Sequence, residues 1–209
     1  MIKLLLEYGA RPDRRVTSSR GGGQTPLTTI LTHHDVDKTS VEGSKGTVID
    51  SSGGRSRKIW LRCVEALIKG GAKWEPGLIL SGGGTQLTKV LGFFPPSPSD
   101  TERYVYIVQD AIDAGFNLAA VDEDGRIPLF SLCERMAVTT QSQCPDSLKI
   151  LGAVVKMHGK GNIGAVDKFG MTILDIPDRV ERSCLASCRS LLADMVIDHS
   201  SHAKDSLTC

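Results

Sequence analysis

Three glycines in the sequence have the spacing of a nucleotide-binding loop. Gly159, Gly161 and Gly164 in GKGNIG satisfy the G-x-G-x-x-G pattern, in which backbone amides at a helix N-terminus receive a pyrophosphate. That chemistry needs a strand over residues 148–156 before the motif and a helix after it. The preceding ILGAVV resembles three other helical stretches of this chain instead. A nucleotide-binding enzyme is therefore kept only as a remote alternative.

The acidic stretch DEDG at residues 122–125 is a candidate for calcium binding. A helix-loop-helix calcium site needs oxygen ligands at loop positions 1, 3 and 5, glycine at 6 and glutamate at 12. With Gly125 at position 6, Ala120 falls at position 1 and Ser131 at position 12. The site fails at both ends, so Asp122 and Gly125 are interpreted as an Asx-type turn with a positive-φ glycine.

Histidine and cysteine spacing also argues against a metal site. HHDVD at residues 33–37 has ligand-type residues, but adjacent histidines point apart and the segment opens a polar loop. The six cysteines lack the paired spacing of a zinc site and the density of a disulfide framework. Cys184 and Cys188 are expected to share one buried helix face. No serine has the context of a nucleophile, so we expect no metal, no cofactor and no catalytic residue.

Charge and hydropathy narrow the function classes further. Residues 1–62 hold 11 Lys and Arg against 6 Asp and Glu, and residues 63–209 hold 14 against 18. No aromatic residues are interleaved with the basic ones, so nucleic-acid binding is not expected. No apolar run approaches the roughly 20 residues of a membrane span, and MIKLLLEYG is too short for a secretory segment. We expect a cytoplasmic or nuclear protein.

The chain repeats two signals in alternation. Four stretches share a glycine four residues before a leucine: GQTPLTTIL, GGTQLTKVL, GRIPLFSL and GMTILDI. In addition, AVDEDGRIPL matches AVDKFGMTIL with a displacement of 45 residues. Between these copies, IKLLLEYGA, CVEALIKGGA, IVQDAIDAGF and LKILGAVVKMHG are apolar at helical spacing and end at or near glycine. A closing glycine supplies the left-handed conformation that terminates a helix. Each unit is thus predicted to be a turn followed by two helices.

These motifs resemble ankyrin repeats. An ankyrin repeat has a hairpin finger, a first helix that begins near Thr-Pro-Leu, and a second helix that ends in Gly-Ala. Two parts of this chain are similar to that pattern: LLLEYGARPD with GQTPLTTIL, and AIDAGFNLAAVDEDGRIPLFSLC. The resemblance implies an all-α fold: an ankyrin-repeat solenoid of stacked helix-turn-helix units with hairpin fingers and long inter-helix loops. No copy keeps the family's histidine after Thr-Pro-Leu, so its hydrogen bonds must be missing or replaced. Pro177 should shorten or distort the last first-helix.

The resemblance divides residues 1–198 into one array. Residues 1–10 form the second helix of a truncated repeat, and residues 161–198 form a C-terminal capping repeat. Three repeats lie between them, with polar inserts between their helices, and residues 199–209 are predicted to be a disordered tail. The three repeats span residues 11–72 with an insert at 35–58, residues 73–116 with an insert at 93–102, and residues 117–160 with an insert at 138–146.

The N-terminal unit should leave Ile2, Leu5 and Leu6 exposed, because its partner helix is absent from the sequence. We therefore expect the chain to be the C-terminal part of an ankyrin array, with further repeats or another domain N-terminal to Met1.

The family resemblance implies a non-catalytic scaffold that binds a partner protein through its hairpin fingertips and concave helix face. The variable fingertip and first-helix positions are the candidate contacts, and Phe169 and Met171 are the preferred hot spots. The candidate partner-binding residues are Val121, Glu123, Asp124, Arg126, Glu134, Arg135, Val166, Lys168, Phe169 and Met171.

Two further interpretations remain open from the sequence. The repeats could be a regulatory or targeting module of a larger enzyme or channel, which the full-length reading frame would decide. RRVTSSR at residues 14–20 could be phosphorylated on Thr17, Ser18 or Ser19, or could be an ordinary basic finger.

Overall fold

The computed structural model describes eight α-helices and one short hairpin. It covers residues 2–17, 23–33, 51–80, 84–93, 98–142, 146–158, 164–180 and 182–205. The fold is all-helical apart from strands β1 (Val16–Thr17) and β2 (Gly23–Gln24), which pair antiparallel, and this confirms the predicted all-α class. The helices are α1 (Ile2–Glu7), α2 (Pro26–His33), α3 (Ser51–Lys69), α4 (Gln86–Leu91), α5 (Thr101–Asp113), α6 (Pro128–Ala137), α7 (Ser147–His158) and α8 (Cys184–Asp205).

The helices form two rows that alternate along the chain. In one row α2 contacts α4, α4 contacts α6, and α6 contacts α8. In the other row α1 contacts α3, α3 contacts α5, and α5 contacts α7. The rows are joined by contacts of α2 with α3 and of α4 with α5, while α8 also packs on α7. One continuous apolar core runs between the rows, from Leu27 to Leu192.

Three helices of the first row begin at a hydroxyl side chain. Thr25 caps α2 and Thr85 caps α4, each accepting the amide hydrogen of the residue three positions on, at 3.2 and 3.3 Å. Ser183 caps α8 in the same way at 3.0 Å. Such a cap satisfies one of the amides that a helix start leaves unpaired. The leucine two residues after each of these caps is fully buried: Leu27, Leu87 and Leu185.

Three helices of the second row, α1, α3 and α5, end as the sequence predicts. Gly9, Gly71 and Gly115 have φ of +83°, +92° and +100°. The amide of each donates to the carbonyl three residues back, and the next amide donates to the carbonyl five residues back, at 2.9 to 3.3 Å. This is the Schellman arrangement, which requires the left-handed conformation that glycine adopts without strain.

The apolar face of α1 is only partly covered. Leu5 is 53% exposed, whereas Leu67 and Ala111, at the same position before the closing glycine, are buried. Ile2 and Leu6 are half-buried, so the predicted exposure holds for Leu5 and is wrong for these two. Leu6 lies against the end of α3, where a Cβ on Gly70 would fall 2.5 Å from one of its methyl groups.

A buried polar network surrounds the second threonine of the Thr-Pro-Leu-Thr copy. Thr28 accepts a hydrogen bond from the side-chain amide of Gln86 (2.9 Å) and donates one to Glu75 (3.1 Å). The Glu75 amide donates to the side-chain carbonyl of Gln86 (2.8 Å), and Arg15 forms an ion pair with the Glu75 carboxylate. The hairpin, α2 and α4 are therefore joined by paired polar groups.

Two stretches predicted as loop or tail are helical. Residues 51–58 belong to α3, and residues 199–205 belong to α8. Both extend a helix whose other half is anchored in the core, by Trp60 and Val64 in α3 and by Leu185 and Leu192 in α8. Adding residues to an existing helix needs no new nucleation, so polar sequence can continue it. Residues 35–50 of the first insert lie outside the described residues.

Residues 139–141, in the predicted third insert, pair with residues 182–184 at the start of α8. The Gln141 amide donates to the Arg182 carbonyl (2.9 Å), and the Cys184 amide donates to the Thr139 carbonyl (2.7 Å). Residues 164–180 contain no helix, although a short or distorted one was predicted there. Asp175 accepts the Thr172 amide hydrogen (2.7 Å), and this turn precedes Pro177. The segment instead runs in turns to the start of α8.

Candidate functional site

Two turns of the same construction lie side by side, over residues 121–126 and 166–171. In the first, Asp122 Oδ1 accepts the amides of Asp124 and Arg126, both at 2.9 Å. In the second, Asp167 Oδ1 accepts the amides of Phe169 (2.9 Å) and Met171 (3.0 Å). Gly125 and Gly170 take φ of +78° and +75°. The predicted Asx-type turn is confirmed, and its 45-residue echo has the same geometry.

The backbones of the two turns are in direct contact. The Lys168 amide donates to the Asp124 carbonyl at 2.7 Å. A Cβ built on Gly125 would fall 3.0 Å from the Val166 carbonyl oxygen, so glycine permits this close approach. By contrast, nothing lies within 4 Å of a Cβ built on Gly170. The relative position of the turns is therefore set by main-chain atoms.

An ion pair connects the tips of the turns. Lys168 Nζ lies 2.6 Å from Asp124 Oδ1 and 5.2 Å from the centre of the Phe169 ring. The hydrogen bond from the Lys168 ammonium holds the pKa of the Asp124 carboxyl below its usual value. The ammonium is thus shared between a carboxylate and an aromatic face.

Arg126 lies among three carboxylates. Its guanidinium approaches Asp124 (3.9 Å), Glu134 on α6 (3.7 Å) and Asp167 (3.6 Å). The Asp167 carboxylate is fully buried, and its Oδ2 and the facing Arg126 Nε have no hydrogen-bond partner. The pair sits just beyond hydrogen-bond distance. Arg126 thereby ties the first turn to α6 and to the second turn.

Apolar side chains project from both turns. Val121 is 56% exposed, Val166 54%, Phe169 68% and Met171 36%. Because the carboxylates of Asp122 and Asp167 fix the turns beneath them, these side chains stand on a constrained backbone.

The structure brings most of the predicted partner-binding residues together. The turns hold all of them except Glu134 and Arg135, which lie on α6. Glu134 is exposed and joined to the turns through Arg126, whereas Arg135 is half-buried. These residues are called the paired-turn surface below: Val121, Glu123, Asp124, Arg126, Glu134, Arg135, Val166, Lys168, Phe169 and Met171.

Sequence reasoning did not identify every exposed apolar side chain or the role of the second aspartate. Asp167 was seen only as the echo of Asp122, yet it alone of the two is buried. Ala165 and Ile173 on either side of it are buried as well. Because the same Ala-Val precedes Asp122, the sequence alone does not distinguish the two aspartates. Tyr106 on α5 is 38% exposed, with Lys69 Nζ 5.3 Å from its ring centre.

The nucleotide-binding motif lacks the context that it requires. Residues 147–158 form the helix α7 where a strand is needed, so backbone amides cannot be presented as in a dinucleotide-binding fold. Gly164 is exposed, and Gly159 and Gly161 lie outside the described residues.

The histidine and cysteine predictions have different outcomes. His33 ends α2, and the rest of HHDVD lies outside the described residues. Within the part of the chain that is described, no group of three or more His, Cys, Asp and Glu is arranged to hold a metal ion. Cys184 and Cys188 are both buried on α8, as predicted.

Comparisons with known proteins returned no relative. A scan against protein-family models matched none, and a search of curated proteins found no match. Among the helices of the described ranges, none combines the length and apolar character that crossing a bilayer needs.

Proposed function

We propose that the chain is an ankyrin-type array that binds another protein through the paired-turn surface. The alternation of two helix rows, the Thr-x-Leu helix starts, and the glycine-closed second helices support the ankyrin assignment. In such arrays each unit packs on its neighbours, which leaves a long surface for partners.

The observation that carries the proposal is the combination of exposure and constraint at Phe169. Its ring is 68% exposed, while its amide is held by the buried Asp167 carboxylate (2.9 Å). Burying a side chain of this size contributes about 1.5–3 kcal/mol. Little backbone order remains to be gained on binding, so more of that energy is available as affinity. Met171 and Val166, on the same turn, are also exposed apolar side chains.

The test is a quantitative pull-down from cell extract with the wild-type chain and a Phe169→Ala, Met171→Ala variant. A matched control, Ile59→Ala with Leu148→Ala, removes two exposed apolar side chains from α3 and α7, in the other helix row. We expect the first variant to lose captured protein at least about tenfold, equivalent to about 1.4 kcal/mol. The control variant should capture as much protein as wild type. Equal recovery by all three proteins would show that this surface is not the binding site.

A further inference from the structure

We infer that the paired-turn surface takes a basic segment of a partner protein, one in which Lys or Arg flanks an apolar side chain. This inference rests on the proposed function and specifies the chemistry of its ligand. It follows from three features: which charges on the surface are already paired, which are in excess, and where the apolar side chains stand among them.

The cations of the two turns are already engaged by carboxylates. Lys168 Nζ lies 2.6 Å from Asp124, and Arg126 is within 4 Å of Asp124, Glu134 and Asp167. Neither cation is presented alone to a partner. An acidic segment would therefore have to displace a carboxylate that is already in place, and like charges brought together at an interface oppose binding.

Negative charge is in excess around the two turns. The paired-turn surface itself holds three carboxylates and three cations, and the turn aspartates Asp122, which is exposed, and Asp167, which is buried, make the total five against three. Glu123 is exposed and has no cation within ion-pair distance among the described residues, and Glu134 is 49% exposed with its nearest cation 3.7 Å away. Residues 63–209 as a whole hold 18 acidic against 14 basic residues. The local potential thus attracts cations.

Exposed apolar side chains stand on the same two turns as these charges. Phe169 follows Lys168 directly, and Val121 precedes the acidic run of the first turn. An apolar side chain of the ligand would be buried on Phe169, Val166 and Met171, while flanking Lys or Arg groups would reach Glu123 and Glu134. Aromatic and thioether groups are typical anchors of this kind, and a charged rim fixes register and raises the association rate.

The first part of the test uses synthetic peptides and nuclear magnetic resonance. Three labelled dodecapeptides are compared: one of repeating Lys-Leu-Lys-Ser, one with Glu in place of every Lys, and one with Ser in place of every Leu. We expect only the Lys-Leu peptide to shift the amide signals of residues 121–126 and 166–171, with affinity falling as salt is raised. Equal binding of the Glu peptide, or shifts confined to other residues, would overturn the inference.

The second part uses charge-reversed protein. Glu123→Lys with Glu134→Lys should weaken the Lys-Leu peptide by about tenfold, because two exposed attractive contacts become repulsive. Glu7→Lys with Glu102→Lys reverses two exposed carboxylates on α1 and α5 and should leave affinity unchanged. Equal affinity of all three proteins would also overturn the inference. Circular dichroism checks that each variant is folded.

Failure of the inference can be told apart from failure of the proposed function. The same charge-reversed variant is taken through the pull-down with extract. If the charge-reversed variant recovers as much partner as wild type while the Phe169→Ala, Met171→Ala variant does not, the surface binds protein but the inferred basic ligand is wrong. If both variants recover the partner like wild type, both proposals fail together.

Discussion

Removing the buried turn carboxylate should destabilise the protein more than removing its exposed counterpart. Asp167→Ala deletes an acceptor that holds the amides of Phe169 and Met171, at 2.9 and 3.0 Å, from a fully buried position. Hydrogen bonds to a charged group contribute about 1.5–3 kcal/mol each. The two freed amides regain some hydration at the surface, so we expect a loss of about 3 kcal/mol.

The counterpart in the first turn provides a matched control. Asp122→Ala removes the same two-amide arrangement, but Asp122 is exposed, and its amides already compete for water. We expect Asp122→Ala to lower the free energy of unfolding by about 1 kcal/mol, since solvent-exposed hydrogen bonds contribute little net energy. Asp167→Asn keeps an acceptor oxygen for both amides and changes only the group that faces Arg126. Its loss of unfolding free energy should therefore be less than half of the loss caused by Asp167→Ala.

The assay is urea unfolding followed by circular dichroism at 222 nm, with thermal melting as a second measurement. For a chain of this size about 3 kcal/mol corresponds to a melting-temperature decrease of about 6–12 °C. If Asp167→Ala and Asp122→Ala lower stability equally, burial is not what makes the second turn important. If Asp167→Asn is as damaging as Asp167→Ala, the charge opposite Arg126 matters more than the turn acceptor.

Three further predictions concern the turn glycines, the ion pair and the buried thiols. Gly170→Ala should lower the free energy of unfolding by about 1 kcal/mol, because of its positive φ alone. Gly125→Ala should lower it more, because the added Cβ also meets the neighbouring backbone at 3.0 Å. Equal losses for the two variants in urea unfolding would contradict the close approach at Gly125. The pKa of Asp124 is lowered by Lys168, so the contribution of this pair is present above the carboxyl's unfolded pKa and is lost as pH falls through its lower folded pKa. Carbon-13 titration should show the Asp124 pKa returning toward its usual value in Lys168→Met, and an unchanged pKa would refute the pairing. Burial raises the pKa of the Cys133 thiol, so its alkylation, mapped by mass spectrometry, should be slow until the protein is unfolded; rapid labelling under native conditions would contradict the packing of α6.

The features predicted correctly from the sequence are determined by a few neighbouring residues. A glycine after an apolar helical stretch ends the helix at Gly9, Gly71 and Gly115, because only the local backbone decides a positive φ. The Asp-x-x-Gly turn forms for the same reason, since the carboxylate binds amides two and four residues ahead. Such short-range rules hold wherever the motif occurs.

The short helix expected near Pro177 does not form because two local signals compete. Thr-Ile-Leu at residues 172–174 has the pattern of a helix start, but Asp175 binds the Thr172 amide and closes a turn. Ser183 caps α8 instead, and its hydroxyl oxygen accepts the Ala186 amide hydrogen (3.0 Å) in the same way as those of Thr25 and Thr85. The helix that Cys184 and Cys188 were expected to share is present, but the sequence does not show that the turn at Asp175 displaces the earlier helix start.

The contacts between the turns could not be derived from the sequence at all. The Lys168 amide and the Asp124 carbonyl are separated by 44 residues of chain that include two helices and an insert. Their distance depends on how α6, α7 and α8 pack, and packing distances are not local properties. Grouping the candidate residues by repeat position predicted that the two turns lie near each other. The ion pairs of Arg126 could not be predicted in this way.

The backbone contact between the turns separates the shape of this surface from its chemistry. Main-chain atoms of residues 124, 125, 166 and 168 set the spacing, and one aspartate holds each loop from within, Asp122 in the first and Asp167 in the second. The side chains of Glu123, Lys168 and Phe169 contribute nothing to those bonds. Substitutions there can change what the surface recognises at little cost in folding, so the same framework can acquire a new ligand by a few point mutations. For an engineer, these three positions are the natural ones to randomise.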